Sequence, residues 1–200
     1  MFLLTKPSGD DIERFLAEEE SDIFSYPEIG ATLNTAAPSD YNLDHNRIQI
    51  GSGDEAFERA KSAIRDWKMF GMDWVSISPE NTPIEVGRTV AILVRHLGFY
   101  SLNAARIVYV LDEKADIQRF GFAYGTLNEH GEIGEERFSV EFHGDTGEVW
   151  YDIYAFSRPG TFLAKLGYPL SRSLQKAFAR DSKLAMVKAV SGGSHSRPNS

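Results

Sequence analysis

The chain has 200 residues, 42% hydrophobic, 12% aromatic and 25% charged, so a sizeable core is expected and a largely disordered chain is excluded. There is no cysteine, which excludes disulfides, thiolate nucleophiles and cysteine-bound zinc. The net charge of −8 hides a split: residues 1–157 carry 13 Lys and Arg against 28 Asp and Glu, while 158–190 carry 7 against 1.

That acidic balance disfavours nucleic acid as a partner. No apolar run reaches the roughly 18 residues that a membrane span needs, and the start MFLLTKPSGDD lacks the apolar length and flanks of a signal peptide. A soluble, cytoplasmic protein is expected, with one domain over residues 1–190 and a disordered tail over 191–200.

In chain order, Ser8 caps a first helix with Asp11 three residues on, and Ile12, Phe15 and Leu16 form its apolar stripe. Residues 21–46, with Pro27, Gly30 and Pro38, read as an irregular connection. Arg47–Ile50 is a short strand. GSGDEAF (51–57) then starts a helix, with Ser52 as cap and Glu55 as its partner; Phe57, Ala60, Ile64 and Trp67 share a face as far as about Phe70. Asp54 and Glu55 repel a phosphate, and the stretch lacks the glycine spacing and lysine of a phosphate-binding loop.

From Trp74 the period changes to 2, and strands are expected over 74–78, 88–95, 105–112, 119–127, 135–143 and 148–157. HGDTGE (143–148) is a hairpin turn, and the short links imply antiparallel neighbours. A last helix is expected from near Thr161 to about Val190, kinked or broken at Pro169. On its wheel Leu174, Ala177, Phe178, Leu184 and Ala185 share one face, with Asp181 near the centre; Arg172, Lys176, Arg180 and Lys183 form a basic, solvated face opposite.

Strand, helix, six-stranded antiparallel run and long helix make an α+β chain. A curved sheet of about seven strands needs a cover, and the long C-terminal helix supplies it. This is the element order of the helix-grip architecture of START-like and Bet v 1-like proteins, an analogy of fold alone.

The stretches YPEIGATL (26–33), YNLDHNRIQIGSGDEAFERAKSAIRDWKMF (41–70), RHLGFYSLNAARIVYVLDE (95–113), RFGFAYGTLNEHGEIGEERFSVE (119–141) and YDIYAFSRPGTFLAKLGYPLSRSLQKAFARDS (151–182) resemble the domain of unknown function 1990 family of bacteria and plants, also called uncharacterised protein family 0548. The resemblance spans about residues 7–190. It implies a single family domain with no established activity and supplies no catalytic residues.

The residues therefore carry the functional reading. A sheet closed by a helix can enclose a mostly apolar cavity with a few polar groups, the usual place for a small ligand. Phe120, Phe122, Tyr124, Phe138, Phe142, Trp150, Tyr151, Tyr154 and Phe156 can line it or simply fill the core. Of the neighbours Glu135 and Glu136, only one can point inward, where beside Tyr124 it is placed for proton transfer. Arg106 lies inside an apolar strand and Arg158 at the sheet exit, and a buried guanidinium requires a partner. Asp181 on a buried face requires one too; an ion pair latching the helix to a sheet arginine, such as Arg88, Arg95, Arg106 or Arg158, competes with a cavity-facing acid.

His96, His130 and His143 lack metal-ligand spacing, His96 reads as a hydrogen-bonded structural histidine, and no nucleophile elbow occurs. No metal or cofactor is expected. Binding of an apolar or amphipathic small molecule ranks first. An enzyme on the same scaffold (a lyase, cyclase or hydrolase) and a protein-interaction module using the basic helix face remain open.

Overall fold

The computed structural model describes residues 1–34, 39–128, 132–160 and 168–192. Among these residues eight strands form one antiparallel sheet: β1 (Phe2–Leu3), β2 (Asn42–Ser52), β3 (Val75–Ser78), β4 (Thr89–Arg95), β5 (Tyr100–Glu113), β6 (Ile117–Thr126), β7 (Glu132–His143) and β8 (Glu148–Pro159). Their order is β2-β8-β7-β6-β5-β4-β3, with the short β1 paired to the start of β5. The helices are α1 (Gly9–Glu19), α2 (Asp54–Arg65) and α3 (Tyr168–Ser191). This is the helix-grip order expected from the sequence.

The element edges depart from expectation for local reasons. β2 starts at Asn42 rather than Arg47, because pairing with β8 carries Asn42, Asp44 and Asn46 into a strand that their weak β-propensity conceals. The strand also absorbs Ser52, so α2 is capped by Gly53 at φ +79, with no side-chain cap bond. Trp67 takes the left-handed conformation and ends the α2 path, and Lys68–Phe70 form a separate 3-10 turn. α1 carries the expected capping box between Ser8 and Asp11. α3 begins at Tyr168, so Pro169 falls in its first turn, where its missing N–H forfeits no helical bond. The expected helix start at Thr161, the tail beyond Gly192 and His130 lie outside the described residues.

Strand residues alternate between two faces. The concave face packs against α2 and the C-terminal half of α3, where Phe57, Trp67, Phe122, Phe138, Met186 and Val190 form the main core. Trp67 lies 4.7 Å from Phe122 and donates its indole N–H to the Thr82 carbonyl at 2.8 Å. On the convex face α1 covers a smaller cluster of Phe15, Ala91, Leu93, Leu102, Ala104 and Leu127. Register shifts between Gln49 and Gly51 and between Ile107 and Tyr109 mark bulges, which bend strands and add curvature.

Candidate functional site

The expected aromatics divide their duties. Phe120, Phe122 and Phe138 fill the core under α2. At the other end, under the N-terminal half of α3, the grip is hollow. A cavity of about 690 Å³ lies there, walled by Phe70, Trp74, Ile92, Val94, Tyr124, Ile153, Leu174 and Phe178. Asp44, Asn46, Asn103, Glu136, Ser157 and Gln175 supply its polar groups.

Glu135 and Glu136 point to opposite faces, as alternation requires. Glu136 faces the cavity and accepts a 2.7 Å hydrogen bond from the Tyr124 hydroxyl on the neighbouring strand. It keeps some surface because its neighbour is a void rather than packed protein. Burial pushes its carboxyl up to about 7, against the Tyr124 bond, which lowers it, with the charge of Asp44 adding to the rise. Burial and Glu136 together raise the Tyr124 phenol well above its ordinary value.

Glu135 turns its buried carboxylate to the convex face. It accepts hydrogen bonds from the Tyr26 hydroxyl at 2.6 Å, Gly30 N at 2.7 Å, Thr32 N at 3.0 Å and the Thr32 hydroxyl. These bonds bind the 26–32 segment to the sheet. Gly125 makes room for it: a Cβ there would stand 2.1 Å from the Tyr26 hydroxyl oxygen.

Arg106, Tyr154 and Arg158 stand outside the cavity wall. Arg106, on the convex face, clamps the end of α1 by donating to the carbonyls of Glu19 at 2.9 Å, Glu20 at 2.9 Å and Asp22 at 2.7 Å. The three carbonyls lie at the last helical residue, its C-cap and the turn that follows. Tyr154 is buried on the convex face between His45 and Arg137. Arg158 stacks its guanidinium 4.5 Å over Tyr41. His96 meets the Ser101 hydroxyl at 2.9 Å and stacks 4.4 Å from Phe99 at the cavity rim, and burial lowers its pKa.

Asp181 corrects the expected arginine latch. α3 turns Ala179, Ser182, Met186 and Val190 inward and leaves Leu184 60% exposed, so Asp181 sits on the flank of the buried face. Its carboxylate accepts from the Trp74 indole at 3.0 Å and from its own neighbour Arg180 at 2.7 Å. The Arg180 bond leads in holding its pKa below the usual carboxylate value.

The ion pair joining helix to sheet runs in the reverse sense. Arg172 on α3 grips Asp44 on β2 through both terminal nitrogens, one at 2.8 Å, and also donates to Gln175 at 2.6 Å. The basic face is therefore only partly solvated: Lys176 and Arg180 are exposed, and Lys183 reaches Asn46 at 3.3 Å. Tyr151 and the fully buried Ser182 add a 2.8 Å hydrogen bond between β8 and α3.

Asp44, Phe70, Trp74 and Arg172 were not among the expected site residues. Asp44 and Asn46 precede Ile48 and Ile50 at a spacing of two, which was the available signal for one continuous inward face. Among the described residues no three His, Asp or Glu side chains are grouped to hold a metal, and no helix is long and apolar enough to cross a membrane.

Fold and cavity define a helix-grip protein: a curved antiparallel sheet closed by a long C-terminal helix, with a space between them. The chain belongs to the family described as Domain of unknown function (DUF1990), whose model matches residues 25–185. It is 39% identical over 215 residues to a UPF0548 protein of Dictyostelium discoideum, covering 98% of this chain and 99% of that one. A UPF0548 protein of Deinococcus radiodurans is 36% identical over 202 residues, covering 95% and 99%. The amoebal relative extends the family beyond bacteria and plants. Among solved structures, TTHA0849 from Thermus thermophilus shares the fold, with a TM-score of 0.51 at 10% identity over 77% of this chain and 100% of that one.

Proposed function

We propose that this protein binds an apolar or amphipathic small molecule between the sheet and the N-terminal half of α3. One observation carries the reading. The grip is packed solid at one end and leaves an open-sided space of about 690 Å³ at the other, and that volume lies in the range of small-molecule sites. Phe70, Trp74 and Phe178 offer apolar surface, while Tyr124 and Glu136 give the space a polar end.

Native mass spectrometry of the purified protein is expected to show a bound small molecule. Ala155→Trp, which fills the space between Glu136 and Asp44, is expected to abolish it. A ligand-free protein whose melting temperature no apolar probe shifts would overturn the reading. The proposal includes a cytoplasmic location, which cell fractionation checks.

The Tyr124–Glu136 pair favours one second reading, an enzyme on the same scaffold. A carboxyl titrating at about 7 exchanges a proton readily at neutral pH. Chemical change of the co-purified molecule on incubation with the protein, lost in Glu136→Gln, is the result that this second reading requires.

A further inference from the structure

Resting on the binding reading above, we infer that the cavity selects ligands carrying a protonated amine on an apolar body, with the ammonium group seated against Glu136 above Ala155. The register builds this seat. Ala155 on β8 is paired with Glu136 on β7 on one side and with Asp44 on β2 on the other. The two carboxyl-bearing residues thus share the concave face two strand spacings apart, about 10 Å. The methyl group of Ala155 leaves the space between them open, and all three residues line the cavity.

The two acids differ in what neutralises them. Both Asp44 oxygens are taken by Arg172. Glu136 has the neutral Tyr124 hydroxyl. Among the described residues, charged and titratable groups reach this part of the cavity from the surrounding elements, and β7 itself adds Glu132 to the lining. β2 brings Asp44, β6 brings Tyr124, and β8 brings Tyr151, which bonds to Ser182. α3 brings Arg172, already committed to Asp44, and Lys176, which lies on the exposed face at the cavity edge. His96 stands at the rim on Ser101.

A carboxylate in an apolar enclosure gains most from a cation that also donates a hydrogen bond. A ligand ammonium provides both, a ligand hydroxyl only the hydrogen bond, and a ligand carboxylate adds repulsion. The Phe70, Trp74 and Phe178 side of the cavity takes the apolar remainder.

Octylamine, octan-1-ol and octanoate, equal in chain length, test the inference by calorimetric titration of the full chain. Octylamine is expected to bind about tenfold or more tightly than octanol, with octanoate the weakest. The octylamine affinity is expected to fall about tenfold per pH unit below 7, because Glu136 takes up a proton there while the amine keeps its own. In Glu136→Gln, with folding verified by circular dichroism and melting, the amine-to-alcohol ratio is expected to fall to about one. Octanol or octanoate binding as tightly as octylamine, or an amine preference retained in Glu136→Gln, would overturn this inference and leave the cavity reading standing. Failure of all three probes to bind would overturn both.

Discussion

Two adjacent glutamates show how far a single residue's fate depends on its face. Alternation along a strand requires Glu135 and Glu136 to diverge, and that much was readable from the chain. What each meets was not, because the partners of Glu135 come from about 105 positions upstream, in a segment with no regular pattern. Among the described residues, Glu135 is satisfied by four donors and Glu136 by one. Glu135→Ala strands buried donors and is expected to cost about 3 kcal/mol or more, whereas Tyr26→Phe removes one bond and should cost about 1–2 kcal/mol. Urea denaturation of both variants measures this, and equal losses would show that the 26–32 segment is not held by this carboxylate.

At the scale of elements, α3 is the informative case. Its amphipathic character was visible, but its rotation about its own axis was not. The wheel through Leu174, Phe178 and Leu184 and the observed face through Ala179, Ser182, Met186 and Val190 differ by part of a turn. Small and polar residues conceal the true face: Ser182 is fully buried only because Tyr151 meets it. The energetics should follow the observed face. Met186→Ala is expected to cost about 2–5 kcal/mol, and Leu184→Ala less than about 0.5 kcal/mol. Asp181→Ala should cost about 1 kcal/mol or less, as its carboxylate is partly solvated and shares an exposed arginine. Chemical denaturation of the three variants checks the order, and a large loss at Leu184 would contradict the orientation of the helix.

For the whole molecule, the half-buried carboxyl of Glu136 should leave a signature in stability against pH. Its folded pKa of about 7 lies above the ordinary value of 4.5, so the native state binds the proton more tightly than the unfolded chain does. Glu136 therefore favours the folded state most at low pH. That contribution is lost as pH rises from about 4.5 to about 7 and is flat beyond. Each pKa unit corresponds to about 1.4 kcal/mol, so the loss is of the order of a few kcal/mol. Glu136→Gln, which cannot ionise, is expected to remove this slope, so that its stability relative to the parent protein improves between pH 5 and pH 8. Unfolding free energies of the two proteins at both pH values provide the measurement, and identical slopes would place Glu136 in contact with bulk water.

The order of elements, the antiparallel sheet and the covering helix were determined by the sequence alone, because hydrophobic period, caps and turn residues act over a few positions. The divergence of Glu135 from Glu136 and the contact of Tyr124 with Glu136 were equally local, since alternation and short links specify them. Only tertiary structure decided that one end of the grip packs solid while the other stays open. It also decided that the ion pair between helix and sheet joins Arg172 to Asp44 rather than Asp181 to a sheet arginine. Those outcomes depend on side chains more than a hundred positions apart fitting the same space, and volume and charge at that range are settled only when the chain has closed upon itself.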